Sequence, residues 1–201
     1  MINLFKFIES KKGYPIPLLF KLLNSIPLTK DELHVKGNLH LSYTEIKELP
    51  DNLEVDGYLY LSSTKIKELP NNLKVGGNLN LSSTKIKELP DNLKVGGNLN
   101  LSYTEIEELP YNLKVDSHLY LSYTKIKELP NNLKVDGYLD LRNTEIEELP
   151  DNLEVDGNLN LSSTNIKTLP NNLKVGGDII VTNGREQYFK DNFPKFRDKI
   201  R

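Results

Sequence analysis

The chain is dominated by a repeat of twenty residues, and this repeat limits what it can fold into. Residues 73–92 read LKVGGNLNLSSTKIKELPDN, and residues 93–112 read LKVGGNLNLSYTEIEELPYN. The same register holds over residues 33–172, which makes seven copies, and an eighth copy begins at Leu173 and decays after Val181. A unit this short cannot bury an apolar face alone, so the copies are expected to stack into a solenoid.

The first half of each copy alternates between apolar and polar residues. A period of two predicts a strand with one buried face. A hairpin turn at residues 76–77 would pair apolar Val75 with polar Asn78 and would mix both kinds of side chain on one face. We therefore predict a strand that bends at Gly77 and continues, with the glycine at a corner where a side chain would crowd the bend. In the seven full copies, Ser117 is the one exception to this glycine.

The second half of each copy has looser spacing. Thr84, Ile86 and Leu89 are predicted to point inward, and Pro90 closes the coil because it cannot donate to a sheet ladder. At about 4.8 Å per coil, seven coils would form a rod about 34 Å long. The predicted fold is a mainly β repeat solenoid with parallel strands and twenty residues per coil.

The stretch LNLSSTKIKELP at 79–90 resembles the leucine-rich repeats, in particular the short twenty-residue class with a Leu-Pro dipeptide found in bacterial and phage proteins. That class follows the pattern LxLxxNxLxxLP. This chain carries threonine at the asparagine position, as at Thr64 and Thr84, so we expect a ladder of hydroxyls along the turn. The additional segment LKVGG leaves two cross-sections open, a two-sheet coil and an open horseshoe.

Both ends depart from the repeat and are predicted to cap it. We divide the chain into an N-terminal helical cap (1–32), a solenoid of seven coils plus a partial eighth (33–182) and a C-terminal helical cap (183–201). Residues 2–9 and 17–23 are predicted to form short amphipathic helices. The apolar residues expected to cover the first coil are Leu4, Phe5, Phe7, Ile8, Leu18, Leu19, Phe20 and Leu23. Those expected to cover the last coil are Tyr188, Phe189, Phe193 and Phe196.

The composition excludes several classes of protein. The chain has no cysteine, which excludes disulfides, thiolate metal sites and a cysteine nucleophile, including that of the ubiquitin-ligase domain in some bacterial leucine-rich-repeat effectors. A net charge of −2 disfavours a nucleic-acid partner. Of His34, His40 and His118, the last lies about four coils from the first two, and no catalytic Ser/His/Asp set, phosphate loop or HExxH motif is present. We expect no enzyme activity, no cofactor and no metal.

The N-terminus indicates no cleavable signal peptide, because Lys6 and Glu9 interrupt its apolar stretch. No window approaches the roughly 18 consecutive apolar residues of a membrane span. We expect a cytoplasmic protein without a membrane partner. Delivery into a host cell is left open.

The differences between copies concentrate on one face of the predicted solenoid. Seven of the ten tyrosines and two of the three histidines occupy outward positions there. The predicted partner-binding residues on this face are His40, Tyr43, Tyr58, Tyr60, Tyr103, His118, Tyr120, Tyr123, Tyr138, Asp140 and Arg142. Tyrosine and arginine dominate binding hot spots, because they combine a large contact area with a polar group. The alternative is that tyrosine merely suits an exposed strand.

Two further columns are interpreted as structural. Asp116, Asp136 and Asp156 share a column that could hold a cation, but each precedes the corner residue, where aspartate favours turn geometry. An asparagine recurs every twenty residues from 52 to 172. It is expected to hydrogen-bond the backbone after the proline as a structural ladder.

The sequence thus favours a non-enzymatic module that binds another protein. The resemblance implies a bacterial effector or a phage-encoded inhibitor of a host protein. One alternative is sequestration of a nucleotide or glycan, with stacking on Tyr103 and Tyr123 and with His118 or Arg142 on a phosphate or sugar. A second alternative is a structural or self-assembling rod.

Overall fold

A computed structural model describes residues 17–201, and its regular structure consists of short strands with a helical segment at each end. The helices are α1 (Leu18–Leu23), α2 (Glu186–Asn192) and a 3₁₀ helix (Pro194–Lys199). The strands that precede the corner residue are β1 (His34–Val35), β3 (Glu54–Val55), β5 (Lys74–Val75), β7 (Lys94–Val95), β10 (Lys134–Val135), β12 (Glu154–Val155) and β14 (Lys174–Val175). The strands that follow it are β2 (Leu39–His40), β4 (Leu59–Tyr60), β6 (Leu79–Asn80), β8 (Leu99–Asn100), β9 (Leu119–Tyr120), β11 (Leu139–Asp140), β13 (Leu159–Asn160) and β15 (Ile179–Ile180).

These strands form a parallel β-solenoid with about twenty residues per turn. All pairings are parallel, and each residue pairs with the residue twenty positions along, as Leu59 does with Leu79. The strands after the corner make one sheet of eight, which we call the second sheet. Those before the corner make the first sheet, which is divided into four strands and three strands. The cross-section is therefore the two-sheet coil, and the hairpin alternative is excluded.

The corner glycine allows successive coils to approach closely. A Cβ atom added to Gly157 would lie 2.8 Å from both the carbonyl carbon and the oxygen of Gly137 in the preceding coil. Because backbone atoms cannot move aside as a flexible side chain can, the corner favours glycine. The expectation of a crowded corner is confirmed.

The core is a single cluster of leucine, valine and isoleucine that runs through the stack. In each coil the two strands direct leucine and valine inward, as at Val55, Leu59 and Leu61, and the later segment adds Ile66. Each coil covers the apolar side chains of the next, so the burial depends on both neighbours.

The threonines do not form the expected ladder. The Thr84 hydroxyl donates to the carbonyl oxygen of Leu81 at 2.7 Å, and the threonines at the same position in the other coils do the same. The chain leaves the sheet after Leu81, and a hydroxyl three residues later reaches this carbonyl more easily than it reaches the next coil. The threonines thus close the turn within each coil.

A ladder does form in two runs of the asparagine column, at 52–92 and at 132–172, but between side chains rather than to the backbone. The Asn72 amide donates to the Asn52 side-chain oxygen at 3.1 Å, and Asn92 donates to Asn72 at 2.7 Å. The twenty-residue register places like amides one above another, and each amide carries both a donor and an acceptor. The expectation of backbone bonding was wrong.

The N-terminal cap places different leucines on the core than expected. Helix α1 follows Pro17 and packs Leu18 and the buried Leu22 against the solenoid, whereas Leu19 and Leu23 are exposed. Residues four apart share one helix face, so the helix cannot turn both pairs inward. Phe20 is half-buried. The predicted helix at 2–9, with Leu4, Phe5, Phe7 and Ile8, lies outside the described residues.

The C-terminal segment covers the last coil. Phe189 and Phe196 are buried, Phe193 packs against the core, and Tyr188 is exposed. The chain end then pairs with the second sheet, where the Val181 N–H donates to the Arg201 carbonyl at 3.0 Å. The last strand of the second sheet is therefore not left as an open edge.

Candidate binding face

The predicted binding residues lie on the outward side of the second sheet and in the turn that follows it. The sheet register places His40 beside Tyr60 and Tyr120 beside Asp140 in adjacent coils. Because the coils stack about 4.8 Å apart, outward side chains in one column are close enough to contact each other. The sequence columns are therefore spatial neighbours.

The first aromatic patch consists of His40, Tyr43, Tyr58 and Tyr60. The rings of His40 and Tyr60 stack with their centroids 4.5 Å apart and an interplanar angle of 13°. Tyr58 meets Tyr60 edge to face at 6.0 Å. Tyr43 is largely exposed in the turn. This patch offers an exposed aromatic surface near the N-terminal end of the solenoid.

The second aromatic patch is centred on Tyr103 and Tyr123. Their rings stack with centroids 4.5 Å apart and an interplanar angle of 8°. The two residues nevertheless remain 58% and 49% exposed. Together they present a flat double ring at the surface, with both hydroxyl groups available to a partner.

His118, Tyr120 and Tyr138 form a connected aromatic group along the second sheet. Tyr120 meets His118 and Tyr138 edge to face, at 6.0 and 5.8 Å. The Tyr138 backbone N–H donates to His118 Nδ1 at 2.8 Å, and its hydroxyl accepts a bond from the Asn160 side-chain amide at 3.0 Å. Partial burial raises the pKa of the Tyr138 phenol above its usual value. These three side chains are half-buried, and the two hydrogen bonds fix the position of Tyr138.

Asp140 and Arg142 form an ion pair with one buried and one exposed member. Arg142 Nε donates to Asp140 Oδ1 at 2.9 Å, and Nη2 donates to Oδ2 at 2.7 Å. Asp140 is only 1% exposed, while the Arg142 side chain is largely accessible. The hydrogen bonds to Asp140 raise the pKa of Arg142. Because a guanidinium has five N–H groups, Arg142 keeps donors for a partner.

The burial of Asp140 removes it from the surface that a partner could touch. Its Oδ1 accepts the backbone N–H of Arg142 at 3.1 Å. In other coils an asparagine does this, as Asn80 Oδ1 does for the Ser82 N–H at 3.0 Å. Asp140 therefore serves the turn and positions Arg142. Sequence reasoning missed the structural role of this column, although its regular Asn-x-Ser pattern was a signal.

The turn residues of both patches adopt an unusual backbone conformation. Tyr43, Tyr103 and Tyr123 have φ values of 60°, 60° and 59°, in the left-handed region. The corresponding residues in the other coils share this conformation and are Ser63, Ser83, Asn143 and Ser163. A residue other than glycine at positive φ costs about 1–2 kcal/mol. This cost also falls on the serines of the other coils, so the turn does not favour tyrosine. Because these three tyrosines lie in the turn and outside the strands, strand preference does not account for them.

One coil separates the two patches. The coil at 73–92 carries Asn78, Asn80 and Ser83 at the outward positions and has no aromatic residue. From the strand of Tyr60 to the strand before Tyr103 is two steps, or roughly 10 Å. The eleven predicted residues thus lie on one side of the molecule but form two patches.

The comparisons with known proteins add no family. No model of a known protein family matches the sequence, and a search of the curated proteins finds no match. In the part of the chain that the structure describes, no helix has the length and apolar character needed to cross a membrane.

Proposed function

We propose that the protein is a binding module without catalytic activity that holds another protein through the patch around Tyr103 and Tyr123. The observation that carries this proposal is the pair of stacked tyrosines, exposed and held at positive φ. Serine occupies the same turn at positive φ in other coils, so the turn itself does not require an aromatic side chain. A pair of exposed tyrosines that the turn does not require is typical of a binding surface.

The surroundings of the pair define the chemistry of the partner surface. The rings offer a flat apolar area, and Arg142 lies two coils beyond Tyr103 in the stack, with a permanent positive charge. A complementary partner carries an apolar side chain to lie on the rings and a carboxylate to meet the guanidinium. The stacking of Tyr103 on Tyr123 orders both rings before a partner arrives, which reduces the entropy lost on binding.

The stacking geometry favours a protein over a nucleotide or glycan. With the centroids of Tyr103 and Tyr123 only 4.5 Å apart, no planar ring fits between them. A small ligand could cover only one outer ring face, whereas small-molecule sites bury most of the ligand surface. The C-terminal cap, in which Arg201 pairs with Ile179, disfavours a rod that assembles head to tail at that end.

The Leu-Pro repeat supports a place among the short bacterial and phage leucine-rich repeats, with the first sheet, which the additional LKVGG segment forms, as a departure from that class. In this proposal the protein acts in a cytoplasm, either as a delivered effector or as a phage-encoded inhibitor of a host protein. It needs no cofactor, because binding alone blocks the partner.

The test is a pull-down from host lysate with three forms of the full chain. The variant Tyr103→Ser/Tyr123→Ser removes the ring pair and introduces the residue that Ser63 and Ser83 show to be compatible with the turn. The matched control is Tyr111→Ser, which removes a tyrosine that is 81% exposed but lies outside the face. Loss of two hot-spot residues should weaken retention of a specific partner by about 10–100-fold, and the control should retain it fully. Equal recovery by all three forms would contradict the proposal, as would the absence of any specific partner.

A further inference from the structure

A cluster of metal-ligating side chains lies on the first sheet, at the N-terminal end of the solenoid. It consists of His34 in β1 and of Glu54 and Asp56 in the next coil. Strand pairing places His34 beside Glu54, and Asp56 follows two residues later on the same face. The His34 Nε2 and Asp56 Oδ1 atoms are 2.7 Å apart. In the described part of the chain, no other group of three such side chains is this close.

This cluster is a local departure from the repeat. The column of His34 and Glu54 continues as Lys74, Lys94, Lys114 and Lys134. An ammonium group is a donor only and cannot bind a metal, so the usual residue of this column excludes a cation. In the first two coils, the imidazole of His34 and the carboxylate of Glu54 take the place of this lysine. The column there offers atoms that can bind a metal instead of a positive charge.

We propose that His34, Glu54 and Asp56 bind Zn²⁺. One imidazole nitrogen and two carboxylates match the ligands that zinc takes in proteins. The candidate ligand atoms all lie within 4.8 Å of one another. Atoms bound to one tetrahedral zinc ion at roughly 2.0–2.2 Å lie about 3.3–3.6 Å apart. The side chains are exposed or half-buried, so small rotations bring them to this spacing, and water fills the fourth position.

Neighbouring charged groups affect the affinity of this site for zinc. Lys74 Nζ lies 3.5 Å from Glu54 Oε2 and competes with a metal for this carboxylate. Lys30, Lys36 and Asp31 also line the open depression beside His34. With three protein ligands and competing ammonium groups, the site is expected to bind zinc in the micromolar range. A bound ion would join the coil at 33–52 to the coil at 53–72.

The same fold supplies a natural counterpart in which lysine replaces the histidine. Lys134, Glu154 and Asp156 occupy the positions of His34, Glu54 and Asp56 five coils further along. There the Lys134 ammonium lies 2.9 Å from Asp136. The substitution His34→Lys should therefore be tolerated by the fold. The converse, Lys134→His, should create a second zinc site.

The experiment is isothermal titration of the full chain with zinc chloride in a buffer that does not chelate metals. We expect one equivalent to bind the wild type, two equivalents to bind Lys134→His, and affinity in His34→Lys to fall by at least about tenfold. Circular dichroism of each variant without metal establishes that it is folded. In thermal unfolding, zinc should raise the Tm of the wild type and leave that of His34→Lys unchanged.

Three results would contradict the proposal that these residues bind zinc. These are no saturable binding to the wild type at millimolar zinc, equal affinity in His34→Lys, and a zinc-dependent Tm shift that is the same in both proteins. If Lys134→His is folded and still binds one equivalent, ligand type at this position does not decide zinc binding, and the proposal also fails.

Discussion

The two sheets of the solenoid are built from the same twenty-residue unit, yet only one of them runs unbroken. At the coils 93–112 and 113–132 the second sheet is continuous, since the Leu99 N–H donates to the His118 carbonyl at 2.9 Å. In the first sheet, no backbone hydrogen bond joins β7 to residues 114–115, both of which the structure describes. On the far side, Val115 keeps only an isolated bridge to Val135.

The corner residues explain this difference. Every other full coil has glycine at one corner position at least, whereas this coil has Asp116 and Ser117. A Cβ on Gly97, which occupies the position of Ser117, would lie 2.9 Å from the carbonyl carbon of Gly77, which shows how little room the corner leaves there. Leu93 and Leu113 at the gap are 9% and 8% exposed, whereas the later leucines of this column, Leu133, Leu153 and Leu173, are at most 2% exposed. The first sheet therefore depends on glycine in a way that the second does not.

The largest expected effect on the free energy of unfolding comes from replacing a core leucine by alanine, and we expect it to differ between the two sheets. Leu119→Ala, in the continuous second sheet, should lower the free energy of unfolding by about 3–5 kcal/mol, because its close-packed surroundings cannot collapse around the lost side chain. Leu113→Ala, at the gap in the first sheet, should cost about 2 kcal/mol, since looser surroundings relax more easily. Urea unfolding measures both. Equal losses would show that the gap does not loosen the core.

A second prediction concerns a substitution that should break the first sheet at the corner of another coil. Gly157→Ser reproduces the residue at Ser117 and places a Cβ against the Gly137 backbone, so we expect a loss of about 1–3 kcal/mol in the free energy of unfolding. The reciprocal variant Ser117→Gly is the control. It should slow hydrogen exchange at the Asp116 amide, which would regain Val95 as its acceptor. If Gly157→Ser unfolds as the wild type does, the corner does not govern pairing in the first sheet.

The smallest effect concerns the turn after the second sheet. Tyr43 has φ of 60° and no stacking partner among the described rings, so Tyr43→Asn should raise the free energy of unfolding by about 1 kcal/mol, because asparagine tolerates this conformation. Tyr103→Asn serves for comparison. There the relief of strain should be offset by the lost ring contact, which is worth about 0.5–1.5 kcal/mol. A larger gain from Tyr103→Asn in thermal or urea unfolding would show that the stack contributes no stability.

The fold could be predicted because its cause is local and repeated. The alternation around Val75 and Leu79, and the failure of the hairpin register at Gly77, are properties of the sequence alone. The exposed helix face of Leu19 and Leu23 could not be predicted in the same way. It depends on the direction in which one short helix meets the first coil, and no periodicity encodes that direction.

The sequence was enough to predict which side chains of the candidate site are neighbours, but not which of them are exposed. The columns identify which side chains are neighbours, so the pairing of Tyr103 with Tyr123 follows from their spacing of twenty residues. Whether Asp140 faces a partner or the turn depends on a side-chain rotamer and on a free N–H nearby. The cluster at His34 was missed because the aspartate column was considered without the column two positions before it. That column contains His34 and Glu54.

The coil at 73–92 has no aromatic residue and sets the distance between the two aromatic patches. Each coil contacts only its neighbours, so gain or loss of one whole unit would leave both patches intact. It would change their separation by one step of about 4.8 Å. A chain of this kind can therefore adjust the span between two contact points by duplicating or deleting twenty residues, without altering either contact.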